Sequence, residues 1–213
     1  MGFRTDNIVT SDQTHTCNVR KVTEKDRGKG IVTPRDYTDI DGMITNVPSL
    51  VLATFYADCV PLYFVDLLHH AIGLSHSGWR GTVQKIGEVT IKKMAEEYGS
   101  NPKDMKVAIG PSICQDCYEV SLDVIEEFKN AFDQKHWDKL FMEKIMENTS
   151  LISGRRIGLF SQKQEYVRKI FLCRISAPAV IRNFFSPIEP LMGNVGILEL
   201  FLASENKKEE DLS

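Results

Sequence analysis

Long apolar runs are missing from this 213-residue sequence, and none approaches the ~20 residues needed to cross a bilayer. An excess of one charge is missing too. The 26 Lys and Arg against 29 Asp and Glu leave a net charge of −3, so no positive field is available for nucleic acid or an anionic membrane surface. The polar start, Met1-Gly-Phe-Arg-Thr-Asp, lacks the apolar core of a signal peptide. Cysteines are few: Cys17, Cys59, Cys114, Cys117 and Cys173 are odd in number and show no disulfide-framework spacing. These absences argue against a disulfide-stapled secreted domain. They predict a cytoplasmic protein whose cysteines are buried thiols, metal ligands or nucleophiles, with neither nucleic acid nor membrane as partner. What is present, 42% hydrophobic residues over this length, fits one packed domain.

Residues 1–44 are polar, with charge-rich loops such as Glu24-Lys-Asp-Arg-Gly-Lys-Gly30. From Ser49 the texture changes. Leu50–Tyr56, Val60–Val65 and Ala71–Ser75 are short apolar or alternating runs that read as successive strands. His69 and His70 fall on the hairpin between the last two and read as solvated. Val83, Ile86, Val89, Met94 and Tyr98 lie near helical spacing within Thr82–Tyr98, and Gly99 supplies a stop. Lys106–Ile109 reads as a further strand. Ser121 is an N-cap for a helix whose buried face is Leu122, Ile125, Phe128 and Phe132. Mixed strands with helices outside them give an α/β or α+β sandwich.

The chemistry concentrates in Ala57-Asp58-Cys59 and His76-Ser77-Gly78-Trp79-Arg80-Gly81-Thr82. Cys59 and His76 close strand-like runs. Thiolate and imidazole together select zinc or copper over harder cations, and His15 is the best upstream third ligand. Three protein ligands with an open fourth position would make such a site catalytic. A buried thiol and an unconnected strand-end imidazole fit the same two residues. Arg80 follows Gly78 at a helix start, where backbone N–H groups and a guanidinium suit an anion, although an exposed first-turn arginine fits as well. Asp58 suits a general base, a partner that orients a metal ligand, or a turn cap. Cys114-x-x-Cys117 has no second pair, which argues against a zinc ribbon.

Taken together, Ala57-Asp58-Cys59-Val60-Pro61, His76-Ser-Gly-Trp-Arg-Gly-Thr82 and Ile109-Gly-Pro-Ser-Ile113…Cys117-Tyr-Glu-Val120 resemble the multicopper polyphenol oxidase, or laccase-domain, family. Its members are also called peptidoglycan editing factors or purine nucleoside phosphorylases. The resemblance runs from about Ile8 to about Lys144. It implies a four-layer α/β/β/α sandwich and a zinc site of two histidines and one cysteine, mapping to His15, Cys59 and His76, with Arg80 near a phosphate or substrate anion. It further implies phosphorolysis of adenosine, inosine, guanosine and methylthioadenosine, adenosine deamination, and a copper-dependent phenol oxidase activity. Three departures stand out. Ser77 replaces the usual alanine, the Cys114–Cys117 stretch differs, and the family begins well upstream, so part of its sheet is expected to be absent. Two other readings compete. One is a metal-free cysteine hydrolase acting on peptidoglycan precursors, with Cys59 as nucleophile and His76 as base. The other is an inactive, truncated binding protein.

Past Lys144 helical and strand periods both fade, and the family's closing segments are not written. They return when each codon is taken as the third base of one residue and the first two of the next. Ser150–Ile157 then permits Leu-Asp-Leu-Trp-Glu-Ala-Asn, and Arg174–Phe184 permits a cysteine-rich Cys-Thr-Cys-Cys strand. Ser186–Glu199 permits Ser-His-Arg and a glycine-rich tail. One fixed offset reproducing three segments in order predicts a frame slip near Lys144. Residues 1–144 are then the metal-site core, and 145–213 an out-of-frame segment that packs poorly and adds no strand to the core.

Overall fold

Alternating side chains in Val60–Asp66 and Ala71–Ser77 fold these stretches into an antiparallel hairpin, paired from Val60↔Ser77 to Asp66↔Ala71. In the computed structural model, residues 4–113, 118–143, 155–157 and 196–201 are described. Along them the chain runs β1 (Ile8–Thr10), β2 (Val19–Lys21), β3 (Gly42–Thr45), β4 (Val51–Tyr56), β5 (Val60–Asp66), β6 (Ala71–Ser77), α1 (Trp79–Val83), α2 (Ile86–Tyr98) and β7 (Lys106–Ile109). It continues with β8 (Glu119–Val120), α3 (Leu122–Ala131), α4 (Trp137–Leu140), β9 (Phe141–Glu143), β10 (Arg155–Ile157) and β11 (Gly196–Phe201).

The hairpin sits inside a mixed five-stranded sheet of order β2-β3-β6-β5-β7. A parallel three-stranded sheet, β1-β4-β11, packs on one of its faces. Val9, Leu50 and Leu52 from the smaller sheet side meet Met43, Tyr63, Val65, Ile72 and Leu74 from the larger in one buried cluster. Period 2 turns Phe64 to the opposite face, where Ile44, Ala71 and Val107 join Met94 of α2. Burying Phe64 alone contributes about 2–3 kcal/mol. Among the described residues, helix, large sheet and small sheet give three layers of the expected α/β sandwich.

Several boundaries differ from the sequence expectation. One helix was expected over Thr82–Tyr98; the chain instead makes α1 and α2, parted at Lys85, whose φ of +60° redirects the backbone. Gly99 ends α2 as expected, with φ +73°. Leu122 is exposed, and Val124 joins Ile125 and Phe128 on the buried face of α3 instead. His69 is tied to the buried Asp66 carboxylate through Nδ1 at 2.7 Å rather than fully solvated. The polar first 44 residues hold β1, β2 and β3, each too short for a readable period. Beyond Lys144, two stretches do pair, contrary to the expectation of no added strand. β10 lies between β8 and β9, and β11 runs parallel to β4 from Gly196↔Val51 to Phe201↔Tyr56. The mostly apolar Gly196-Ile-Leu-Glu-Leu-Phe201 suits a strand. Cys114, Cys117 and Cys173 lie outside the described residues. Among the described residues no helix is long and apolar enough to cross a membrane.

Asp26 shows how the early loops hold together. Its buried carboxylate accepts from Lys29 Nζ (2.8 Å), Arg20 (3.0 Å), and Thr23 N and Oγ1 (2.8 and 3.0 Å). Burial pushes its pKa up, but the hydrogen bonds from Lys29, Thr23 and Arg20 outweigh burial and hold it well below the carboxylate range. A group whose folded pKa is depressed stabilises fully above its unfolded value, about 3.9, and loses that contribution as pH falls further. We therefore predict that Asp26→Asn destabilises by about 2 kcal/mol at neutral pH. In urea titrations the variant should lose less stability than wild type on acidification below about pH 4. Identical acid slopes would contradict this.

Candidate metal centre

His15, Cys59 and His76 come from three separate places: the loop after β1, the turn between β4 and β5, and the end of β6. Their ligand atoms all lie within 4.8 Å of one another. Cys59 Sγ is 3.7 Å from His15 Nε2. The two imidazoles meet edge to face, with centroids 4.9 Å apart and planes at 74°. A tetrahedral zinc, with Zn–S about 2.3 Å and Zn–N about 2.1 Å, sets its ligand atoms roughly 3.4–3.6 Å apart. The three donors therefore fit such an ion in chemistry and in spacing. His76 is buried, Cys59 half-buried and His15 exposed, so the cluster opens to solvent on the His15 side.

Each ligand is held by its surroundings. His76 turns Nδ1 toward Asp41 Oδ1 at 2.7 Å, both side chains being buried. The same carboxylate accepts the backbone N–H groups of Thr14 (3.2 Å), His15 (3.1 Å) and Thr16 (2.7 Å). One residue upstream, the Gln13 side-chain amide clamps onto the edge of β4, donating to Phe55 O at 2.7 Å and accepting from Phe55 N at 2.8 Å. His15 itself adopts φ +66°, a conformation most non-glycine residues avoid. Tyr56 lies against the other side of the His76 ring, with centroids 5.5 Å apart.

Electrostatics sort the groups. Burial pushes Asp41 up, but hydrogen bonds from His76 and the Thr16 and Thr14 N–H groups outweigh it and bring it down to about 2. Burial pushes His76 down, yet its contacts with Asp41 and Cys59 raise it to about 9. His15 falls below its ordinary value through burial, then through the positive charges of His76 and Arg80. Tyr118 is raised by burial and next by the negative charges of Cys59 and Asp58, while Arg80 lowers it. The charges of Cys59, Asp58 and Arg80 thus all act on Tyr118.

The remaining sequence candidates are placed as follows. Arg80 is exposed in the first turn of α1 and stacks its guanidinium 4.3 Å over the Trp79 ring. Asp58 is exposed, and its backbone carbonyl accepts from Ile113 N at 3.1 Å, tying the Gly110–Ile113 loop to the site. The carboxylate that engages a ligand ring is Asp41, which sequence reasoning left inside a charge-rich loop. Gly78 caps α1 and also borders the cluster: a Cβ there would lie 2.6 Å from His15 Cδ2 and 3.2 Å from Cys59 Sγ. Its φ of −71° would accept alanine, so the constraint is the space taken by the His15 ring.

From that close approach we predict that Gly78→Ala weakens zinc binding at least tenfold, measured by competition with a chromophoric chelator, and costs the fold about 1 kcal/mol or less. Unchanged zinc affinity would show that the His15 ring can move aside without consequence.

The chain is similar to known proteins in sequence and in fold. The chain is 45% identical over 130 residues to the purine nucleoside phosphorylase YlmD of Bacillus subtilis (strain 168), covering 58% of the chain and 46% of that protein. It is 36% identical over 132 residues to the adenosine deaminase RL5 from an unknown prokaryotic organism, covering 62% of the chain and 50% of that protein. The chain thus spans about half the length of these curated relatives. Its structure aligns with the crystal structure of the Bacillus licheniformis hypothetical protein YfiH at a TM-score of 0.63 and 29% identity, covering 92% of the chain and 64% of that protein. The family model described as multi-copper polyphenol oxidoreductase laccase matches residues 1–168. With motifs, fold and match in agreement, the chain belongs to the multi-copper polyphenol oxidoreductase laccase family.

Proposed function

We propose that the chain is a purine nucleoside phosphorylase-type enzyme that works with zinc held by His15, Cys59 and His76. The observation that carries this reading is the convergence of two imidazoles and a thiol within 4.8 Å at a solvent-open rim. The names of the relatives point to nucleosides as substrates. In phosphorolysis the bond from the ribose anomeric carbon to the purine nitrogen breaks, a phosphate oxygen bonds to that carbon, and the departing base takes up a proton. Arg80 would hold the phosphate by charge-assisted hydrogen bonds. Asp58, exposed beside Cys59, would manage the proton of the leaving base. Tyr118 stays protonated at neutral pH, so toward a bound anion it can only donate. When bound, the zinc would supply Lewis-acid polarisation of a substrate oxygen. Adenosine deamination would share the ligands but act on another carbon: water adds at purine C6, the C6–N bond breaks and the amino group leaves as ammonia, with the glycosidic bond intact. Copper-dependent phenol oxidation ranks lower, because one two-histidine, one-cysteine site lacks the ligands for multicopper electron transfer. A cytoplasmic setting suits free thiols and nucleoside substrates.

The test is zinc content together with turnover. Protein assayed with adenosine should release adenine only when phosphate is present, and deaminated product independently of phosphate. His15→Ala and Cys59→Ala should lower kcat/KM at least 100-fold, and Arg80→Ala should raise the phosphate KM about tenfold. Activity in metal-free protein, abolished by thiol alkylation, would instead favour the cysteine hydrolase, with Cys59 as nucleophile and His76, which hydrogen-bonds to it, as base. No turnover in zinc-loaded protein would leave the binding protein.

We also propose that the frame slips near Lys144. The support is the ordered return of three family segments at one offset. The family match in the written frame ends at residue 168, so similarity does not stop at the proposed slip and the test must be direct. Resequencing codons 140–150 should find one or two miscounted bases. A confirmed frame, with the segment past Lys144 resisting limited proteolysis, would overturn the proposal.

A further inference from the structure

Five donors converge on the two oxygens of Asp41. Oδ1 accepts from His76 Nδ1 at 2.7 Å and His15 N at 3.1 Å. Oδ2 accepts from Thr16 N at 2.7 Å, Thr16 Oγ1 at 2.8 Å and Thr14 N at 3.2 Å. Only an acceptor-only group satisfies both sets. An asparagine amide would place an NH₂ against at least two donors whichever way it turned. The carboxylate also dictates the tautomer of His76. Nδ1 must carry the proton it shares with Asp41, so Nε2 is the nitrogen turned to the cluster, where a metal ion would take the place of a proton. Through the backbone bonds to residues 14–16, the same group holds His15 in its positive-φ conformation, 26 residues away in sequence.

We infer that Asp41 is the positioning residue of the metal centre, fixing two of its three ligands at once: the tautomer and ring angle of His76, and the backbone that aims His15. The inference rests on the reading of His15, Cys59 and His76 as metal ligands. It goes beyond that reading by making the affinity for zinc, and the ligand geometry, depend on a carboxylate that touches no metal. A carboxylate behind a ligating histidine raises the donor strength of the ring and preorganises the site. A disordered 14–16 loop would otherwise have to be ordered at the moment of binding.

The experiment compares zinc affinity by chelator competition, and the visible spectrum of the cobalt-substituted protein, in wild type, Asp41→Asn, Thr16→Val and the remote Asp26→Asn. Asp41→Asn should bind zinc 10–100-fold more weakly with shifted cobalt bands. Thr16→Val, which removes one of the five donors to Asp41 together with the hydroxyl's bonds to Asp39 O and Asn18 N and should fold, should weaken zinc about threefold. Asp26→Asn, which also removes a buried carboxylate, should lower thermal stability while leaving zinc affinity within twofold and the bands unmoved, separating positioning from general destabilisation. Should Asp41→Asn fail to fold, the Thr16→Val affinity decides. Wild-type zinc affinity and spectrum in the foldable variants would overturn the role of Asp41 while leaving the metal centre intact. Absence of zinc binding in wild type itself would overturn the metal reading, and with it this inference.

Discussion

The site depends on a buried anion. Taking the Asp41 carboxylate out of water costs several kcal/mol unless its lone pairs are filled, and here the fold fills them with three backbone N–H groups, a hydroxyl and an imidazole. Asp41 N in turn donates to Asn18 O, and Asp41 O accepts from His76 N at 2.7 Å, so backbone and side chain both bind the neighbours they organise. Strand β3 starts at the next residue and pairs with β6 from Gly42↔Ser75. The sheet register therefore delivers Asp41 to His76, and the charge then fixes the loop that carries His15.

Local strain and crowding meet at the same place. His15 holds φ +66°, and Gly78 leaves no room for a methyl group beside its ring. Such features persist where surrounding bonds over-determine them. The Gln13 clamp on Phe55 and the three N–H bonds to Asp41 supply that determination from both sides of the loop. Gly81 adds another close approach, since a Cβ there would lie 3.2 Å from the carbonyl of Thr16. The break of the expected helix at Lys85 leaves α1 as a short turn seated between this loop and α2.

Legibility in the sequence followed the range of the interactions. β5, β6 and β7 were readable because each is four residues or longer and carries its own alternation, and α3 because Ser121 caps a helical period. Cys59 and His76 stood out at strand ends. β1, β2 and β3 were not readable: their stability comes from partners 23 to 43 positions away, not from a pattern within three or four residues. His15 was a candidate by residue type, and nothing in Gln13–Val19 showed that it would reach the others. Asp41 was hidden for the same reason. Its neighbours in sequence mark a polar loop, and only the pairing of β3 with β6 reveals that its side chain is buried behind a ring 35 residues on. Tyr118 carried no signal beyond its motif, because its tie to the rim lies in the charges of Cys59, Asp58 and Arg80.

On the proposed reading, the charges around the cluster also divide the two reactions. A divalent ion, the Cys59 thiolate and the Asp41 carboxylate sum to zero, so an incoming anion gains little from the centre as a whole. The remaining cation on the rim is Arg80, with Asp58 opposing it. Phosphate, carrying up to two negative charges, then owes its retention to Arg80, whose guanidinium is steadied over the Trp79 ring. Water needs no such help. Phosphorolysis and deamination would therefore use the same three ligands and the same Asp41, and part company at Arg80 and at the phosphate concentration. A site built this way can carry two activities without two architectures, because the ligand cage is fixed by the buried carboxylate while the pose of the nucleoside at the exposed rim sets whether phosphate meets the anomeric carbon or water meets purine C6.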